Sequence, residues 1–141
     1  MDETPEGFMP PKVSPSQPRS SASVMLSRVS GSGHEILMGK RSSELPAFPD
    51  LWSFPGGGVS SVDRKSAEVH PDWLPNKKKD RVATFTLLRE MVEEIGISPD
   101  GNGGFVEVVS DIRERVCEDK SAWMKEVEAG NISIEAFVGQ V

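Results

Sequence analysis

Between Asp80 and Gly96 the apolar residues Val82, Phe85, Leu88, Met91, Val92 and Ile95 recur every three or four positions, the spacing that gathers them on one face of a helix. Asp80 is placed to cap its start, Gly96 to supply the left-handed residue that ends it, and Arg89 with Glu93 forms an i,i+4 pair. Upstream the apolar runs are shorter. Residues 21–30, SASVMLSRVS, read as a strand, 31–35 as a Gly-rich turn and 36–42, ILMGKRS, as a second strand, which together suggest a hairpin. Two prolines in SELPAFPDLWSF make it a loop feeding a brief strand, Leu51 to Phe54, and a turn through Gly56, Gly57 and Gly58 follows. After the polar stretch SPDGNGG, residues 105–130 read as one or two amphipathic helices, and NISIEAFVGQV as the opening of a further helix capped by Ser133. Residues 1–20 hold five prolines and several serines and read as a flexible arm before a single domain, 21–141.

Composition narrows the function classes. The formal charge of -6 argues against nucleic acid and against an anionic membrane surface as default partners. No apolar run approaches a membrane span, and the first residues lack the basic flank and apolar core of a signal peptide. An intracellular protein, cytoplasmic by default, is expected. The single cysteine, Cys117, excludes an intrachain disulfide and is expected to be a small, partly buried hydrophobe. Trp52 and Trp123 are expected in the core, and His34 and His70 are too scattered for a zinc site.

On the long helix Glu90, Glu93 and Glu94 stand at i, i+3 and i+4, so three carboxylates share one stripe. Their repulsion raises their pKa values, and a divalent cation is the usual remedy; hard oxygen ligands suit magnesium or manganese. A solvated acidic helix face is the competing reading. The three glycines after a strand let the main chain approach a ligand or metal closely, though Pro-Gly-Gly is also ordinary turn chemistry.

Taken together, these residues resemble the Nudix hydrolase family, whose box runs Gly, five residues, an acid, seven residues, then Arg-Glu-U-x-Glu-Glu-x-Gly-U with U aliphatic. Arg89 to Ile97, REMVEEIGI, matches the second half; Gly57, five residues and Asp63 match the first, with Asp for the usual Glu. In an uninterrupted box the Arg would stand at 71; it stands at 89, so 18 residues, 64–81, are inserted, in what is expected to be a loop. Asp63-Arg64 and the insertion resemble the interrupted-box branch that includes peroxisomal coenzyme A diphosphatases. Lys40-Arg41-Ser42 upstream of Phe-Pro-Gly-Gly resembles part of the coenzyme A signature, whose further Arg is missing here.

The resemblance implies an α/β/α sandwich with a mixed β-sheet, expected to be incomplete at the C-terminus because relatives continue beyond the point matching Val141. It implies hydrolysis of a nucleoside diphosphate linked to another moiety, coenzyme A or an acyl-CoA among the candidates, with Mg2+ or Mn2+. Glu93 and Glu94 would be the principal ligands, the Gly57 carbonyl a further one, and Glu90 a ligand or the general base that Arg89 orients. Asp63 would support the loop, and Arg41 would meet substrate. The insertion carries six Lys or Arg against three acids, so Lys77, Lys78 and Lys79 are candidates to face phosphates. Alternatives are a diphosphatase for ADP-ribose, NADH or dinucleoside polyphosphates, and a non-catalytic module keeping the same fold.

Overall fold

The computed structural model describes residues 17–46, 48–70, 78–100, 102 and 104–132, the side chains of 78–80 excepted. Helix α2 (Lys78–Glu90) runs on into a five-residue π-helical turn, Met91–Ile95, so the expected helix is formed. Val82, Phe85, Leu88, Met91 and Val92 are all buried along it. Gly96, at φ 72°, ends it, and its N–H donates to Met91 O at 2.9 Å and Val92 O at 3.1 Å. Because α2 already includes Lys78, Asp80 lies inside the first turn and is not its cap.

Helix α1 (Ser61–Val69) packs on α2, and α3 (Ser110–Glu118) with α4 (Ala122–Glu128) closes the other side of the core. Trp123 is fully buried, as expected, its ring 5.7 Å from that of Phe85 and tilted by 57°; Ala67, Val116, Val127 and Ile132 complete the cluster. Residues 64–69, expected in a loop, are therefore the body of α1. The reason is a capping box: Ser60 Oγ accepts from Asp63 N at 3.2 Å, and Asp63 Oδ2 accepts from Ser60 N at 2.8 Å, which starts a helix where only a turn was read.

The strands are β1 (Ser21–Ser23), β2 (Ser27–Ser30), β3 (Gly33–Ile36), β4 (Gly39–Lys40), β5 (Trp52–Ser53), β6 (Gly56–Gly58), β7 (Ile97–Pro99) and β8 (Phe105–Glu107). They pair antiparallel as four separate ribbons, β1 with β6, β2 with β3, β4 with β5 and β7 with β8. The expected mixed sheet is not formed among the described residues: β2–β3 and β7–β8 are joined by short turns, which allow only antiparallel pairing, and β1–β6 and β4–β5 pair antiparallel across longer connections. The hairpin of residues 21–42 is realised as β2–β3, with its turn tighter than read. The single strand expected over 21–30 divides because the chain changes partner: Val24 N donates to Pro55 O, extending β1–β6, while Leu37 N donates to Leu26 O, extending β2–β3.

Phe105–Glu107 is a strand rather than the start of a helix. Asp100 Oδ1 accepts from the main-chain N–H groups of Asn102 (2.7 Å) and Gly104 (3.0 Å), which folds the chain back on β7. Two further expectations fail. Trp52, on the β4–β5 ribbon, is 64% exposed, and Cys117 is exposed on α3. Residues 1–16 of the arm and the cap at Ser133 lie outside the described residues. No described helix is long and apolar enough to cross a membrane.

Candidate functional site

The glycine strand and the glutamate helix, 26 positions apart in sequence between Asp63 and Arg89, meet in space around one arginine. Arg89 is buried with no side-chain exposure, and so is Asp63. Arg89 Nε donates to Asp63 Oδ1 at 2.8 Å and Nη2 to Asp63 Oδ2 at 3.0 Å, a two-pronged pair. Nη2 also donates to Gly58 O at 3.1 Å, and Nη1 lies 2.9 Å from Glu90 Oε1 and 3.0 Å from Glu93 Oε2. Four hydrogen bonds thus leave the guanidinium, with Glu90 a close ion-pair partner besides. Asp63 Oδ2 accepts in addition from Thr86 Oγ1 at 3.0 Å. Burial pushes the Asp63 carboxyl up, but the bonds from Arg89, Ser60 N–H and Thr86 more than offset it and hold it below the usual range. Burial opposes the charge on Arg89 too, and Asp63 more than compensates, so the guanidinium stays protonated.

Gly57 is where the strand touches the helix. A Cβ there would collide with the Glu90 carboxylate, both oxygens included, so only glycine lets Glu90 stand against β6. The next strand residue back, Gly56, donates its N–H to Glu94 Oε2 at 3.0 Å. The three glycines thus divide the task, N–H of Gly56 to Glu94, bare Cα of Gly57 to Glu90, carbonyl of Gly58 to Arg89.

Burial pushes the carboxyl of Glu93 up, only partly relieved by Arg89, and the charge of Glu90 pushes the same way. Glu94 is likewise raised, by burial first and then by Glu90 and Glu93, against the Gly56 N–H that lowers it. Glu93 Oε1 is buried and accepts no hydrogen bond from a described residue. Hard oxygen donors on one stripe, with Glu93 and Glu94 raised in pKa and one buried Glu93 oxygen without a bond from a described residue, fit a divalent cation by chemistry. Among the described residues no three acidic, His or Cys side chains already stand as a metal-holding group; Arg89 engages Glu90 and Glu93, and Gly56 engages Glu94.

Beyond Glu94 opens a cavity of about 400 Å³ lined by Leu37, Met38, Lys40, Arg41, Phe54 and Glu94 among others. Arg41 is half-buried there, and its charge lowers the pKa of Glu94. The structure therefore brings together Gly57, Asp63, Arg89, Glu90, Glu93 and Glu94, with Arg41 at the edge. Of the three lysines, Lys77 lies outside the described residues, and the main chain of Lys78 and Lys79 opens α2, Lys79 roughly 17 Å along the axis from Glu90 at 1.5 Å per residue. Sequence reading missed Ser60 and Thr86. The capping-box pattern Ser-x-x-Asp at 60–63 was visible and would have found Ser60; Thr86, one turn before Arg89, carries no local signal.

The arrangement defines a class, an α/β domain that sets a carboxylate-bearing helix against a glycine strand. No family profile and no curated protein matches the chain in sequence. In three dimensions it is similar to the crystal structure of a NUDIX hydrolase from Alicyclobacillus acidocaldarius, with a TM-score of 0.63 and 21% identity over 80% of this chain. The likeness shows a Nudix-type fold. The chain spans 55% of the length of that structure.

Proposed function

We propose that the protein is a metal-dependent hydrolase cleaving a diphosphate that links a nucleoside to another moiety. The observation that carries this reading is the convergence on Arg89 of Asp63 and Gly58 from the glycine segment with Glu90 and Glu93 from the helix, while Gly57 admits Glu90. An acidic face by chance would have no reason to be clamped to a glycine strand. Glu93 and Glu94 would hold Mg2+ or Mn2+, with the Gly57 carbonyl a further ligand. Bound there, the cation would neutralise the diphosphate and align a water for attack on phosphorus, which is most of what such a reaction needs. Glu90 would take the proton of that water or join the ligands, and Arg89 holds its orientation. Asp63 touches no substrate; it fixes Arg89.

The cavity beyond Glu94 supports an organic group with both apolar and anionic parts, since Leu37, Met38 and Phe54 stand beside Lys40 and Arg41. Coenzyme A or an acyl-CoA has that character. The engagement of Glu90 and Glu93 by Arg89 favours a second reading, a module that keeps the fold without turnover. Calorimetric titration with MnCl2 or MgCl2, followed by hydrolysis assays on coenzyme A, ADP-ribose, NADH and dinucleoside polyphosphates, separates the two. Binding with turnover of at least one compound, both lost in Glu93→Gln and Glu94→Gln, is expected. Turnover unchanged in both variants would refute the metal assignment, and binding without turnover would favour the module.

A further inference from the structure

The last carbonyls of a helix find no donor within it. At the end of the π-helical turn, Gly96 N takes those of Met91 and Val92. The next two belong to Glu93 and Glu94, the residues assigned to the cation, and both are taken from outside by one side chain on α3. Arg113 Nε and Nη2 donate to Glu93 O at 3.2 and 3.1 Å, and Nη2 donates to Glu94 O at 2.9 Å. All three bonds go to main chain and none to a carboxylate. Cys117, one turn further along α3, adds a weak contact from Sγ to Glu93 O at 3.8 Å.

Gly96 belongs to the same arrangement. A Cβ there would lie 3.1 Å from Arg113 Cδ, and φ of 72° would strain any side chain, so the arginine stem crosses the helix end over a bare residue. Both demands fall on one glycine. A delocalised cation over the carbonyl end of the helix also meets the negative end of its dipole.

We infer that Arg113 is a positioning residue for the Glu93–Glu94 pair: its fork locks the two peptide units that carry these side chains, and so fixes where both carboxylates begin. The inference rests on the reading of Glu93 and Glu94 as cation ligands. A wide π turn whose final carbonyls lacked donors would fray, and ligands on a frayed turn bind a cation only after it is ordered again. Outer groups that orient ligands are worth about 10- to 100-fold in metal affinity when removed.

The test uses the whole chain and MnCl2 as probe, with affinity from titration calorimetry and from the electron paramagnetic resonance of free Mn2+. Arg113→Met keeps most of the stem and loses the fork; its Mn2+ affinity is expected to fall about tenfold or more. Arg113→Lys, with a point charge that cannot fork to two carbonyls, is expected between the two. In hydrolysis, the Mn2+ concentration for half-maximal rate should rise in parallel while kcat at saturating Mn2+ holds within about twofold. A merely structural role would lower Tm and leave the affinity of the folded protein alone. Wild-type Mn2+ affinity in folded Arg113→Met would overturn the inference; should that variant not fold, wild-type affinity in Arg113→Lys overturns it, and weakened affinity supports it. A wild-type protein that takes up no Mn2+ overturns the underlying site reading as well, whereas normal uptake with an indifferent Arg113→Met overturns this inference alone.

Discussion

Replacing Asp63 by Asn keeps the side chain's shape and removes its charge, which isolates the buried pair at the centre of the site. Asp63 accepts two bonds from Arg89, one from Thr86 and one from Ser60 N–H, and neither member of the pair has side-chain exposure. Removing one partner of a buried ion pair costs about 3 to 5 kcal/mol, because the other charge is left uncompensated. Arg89 keeps Glu90 and Glu93 nearby, so the lower end, about 3 kcal/mol, is the expectation. For a chain of this size that is a fall in Tm of roughly 10 °C. Urea unfolding followed by far-ultraviolet circular dichroism at neutral pH measures it. Combining Asp63→Asn with Arg89→Met removes both charges, so the double variant should lose less than the sum of the singles, by about 1 to 3 kcal/mol. The pH dependence has a definite sign. A carboxyl held below its unfolded value contributes stability that is fully present above that unfolded value, about 3.9, and lost as pH falls through the folded one. The gap between wild type and Asp63→Asn should therefore narrow in strong acid. A loss under about 1 kcal/mol, or strict additivity in the double variant, would refute the reasoning.

Two other expectations follow from the same geometry. Gly57→Ala drives a methyl into the Glu90 carboxylate, so hydrolysis should fall about 100-fold, with Tm much less affected; steady-state kinetics beside a thermal melt would decide, and near-normal activity would show that Glu90 need not stand against the strand. Glu94→Gln removes a charge whose pKa is raised by burial and by its acidic neighbours, so without divalent metal it should stabilise the protein above the ordinary carboxylate range and lose that advantage in acid. Melts in chelator across pH 4 to 8, roughly the window set by a carboxylate reference of about 4.3, test this; a variant less stable than wild type at neutral pH would contradict it.

The long helix was legible because its pattern is redundant: six apolar residues at helical spacing fix its face, and Gly96 its end. The spacing of Gly57, Asp63 and Arg89 to Ile97 likewise pointed to residues that the fold brings together, since they are tied to two elements whose ends are locally specified. The strands were less legible. Residues 21–30 look like one strand by composition, and only the partners, Pro55 for Val24 and Leu37 for Leu26, reveal the division. Phe105–Glu107 was read as helix because its apolar residues precede a helical run; the Asp100 turn that reverses the chain depends on two main-chain N–H groups and not on apolar spacing. Arg113 was invisible for the same reason, since a residue that donates only to carbonyls leaves no partner side chain in the sequence to point back at it.

Asp63 and Arg89 are held at their own ends of the chain that joins them. Asp63 stands in the first turn of α1 and meets Thr86 and Arg89 in the last turns of α2, so the two helices run past each other with the site at one end. The end of α1 at Val69 and the start of α2 at Lys78 lie at the far end of the pair. A turn gained there shifts neither Asp63 nor Arg89, because Asp63 is fixed by its capping box and Arg89 by its bonds to Asp63, Gly58 and Glu93. α1 packs against α2, and the buried Asp63–Arg89 pair ties the start of the one to the end of the other. Asp63, on the first turn of a helix already docked on α2, meets Arg89 with a short side chain, both oxygens accepting from its guanidinium.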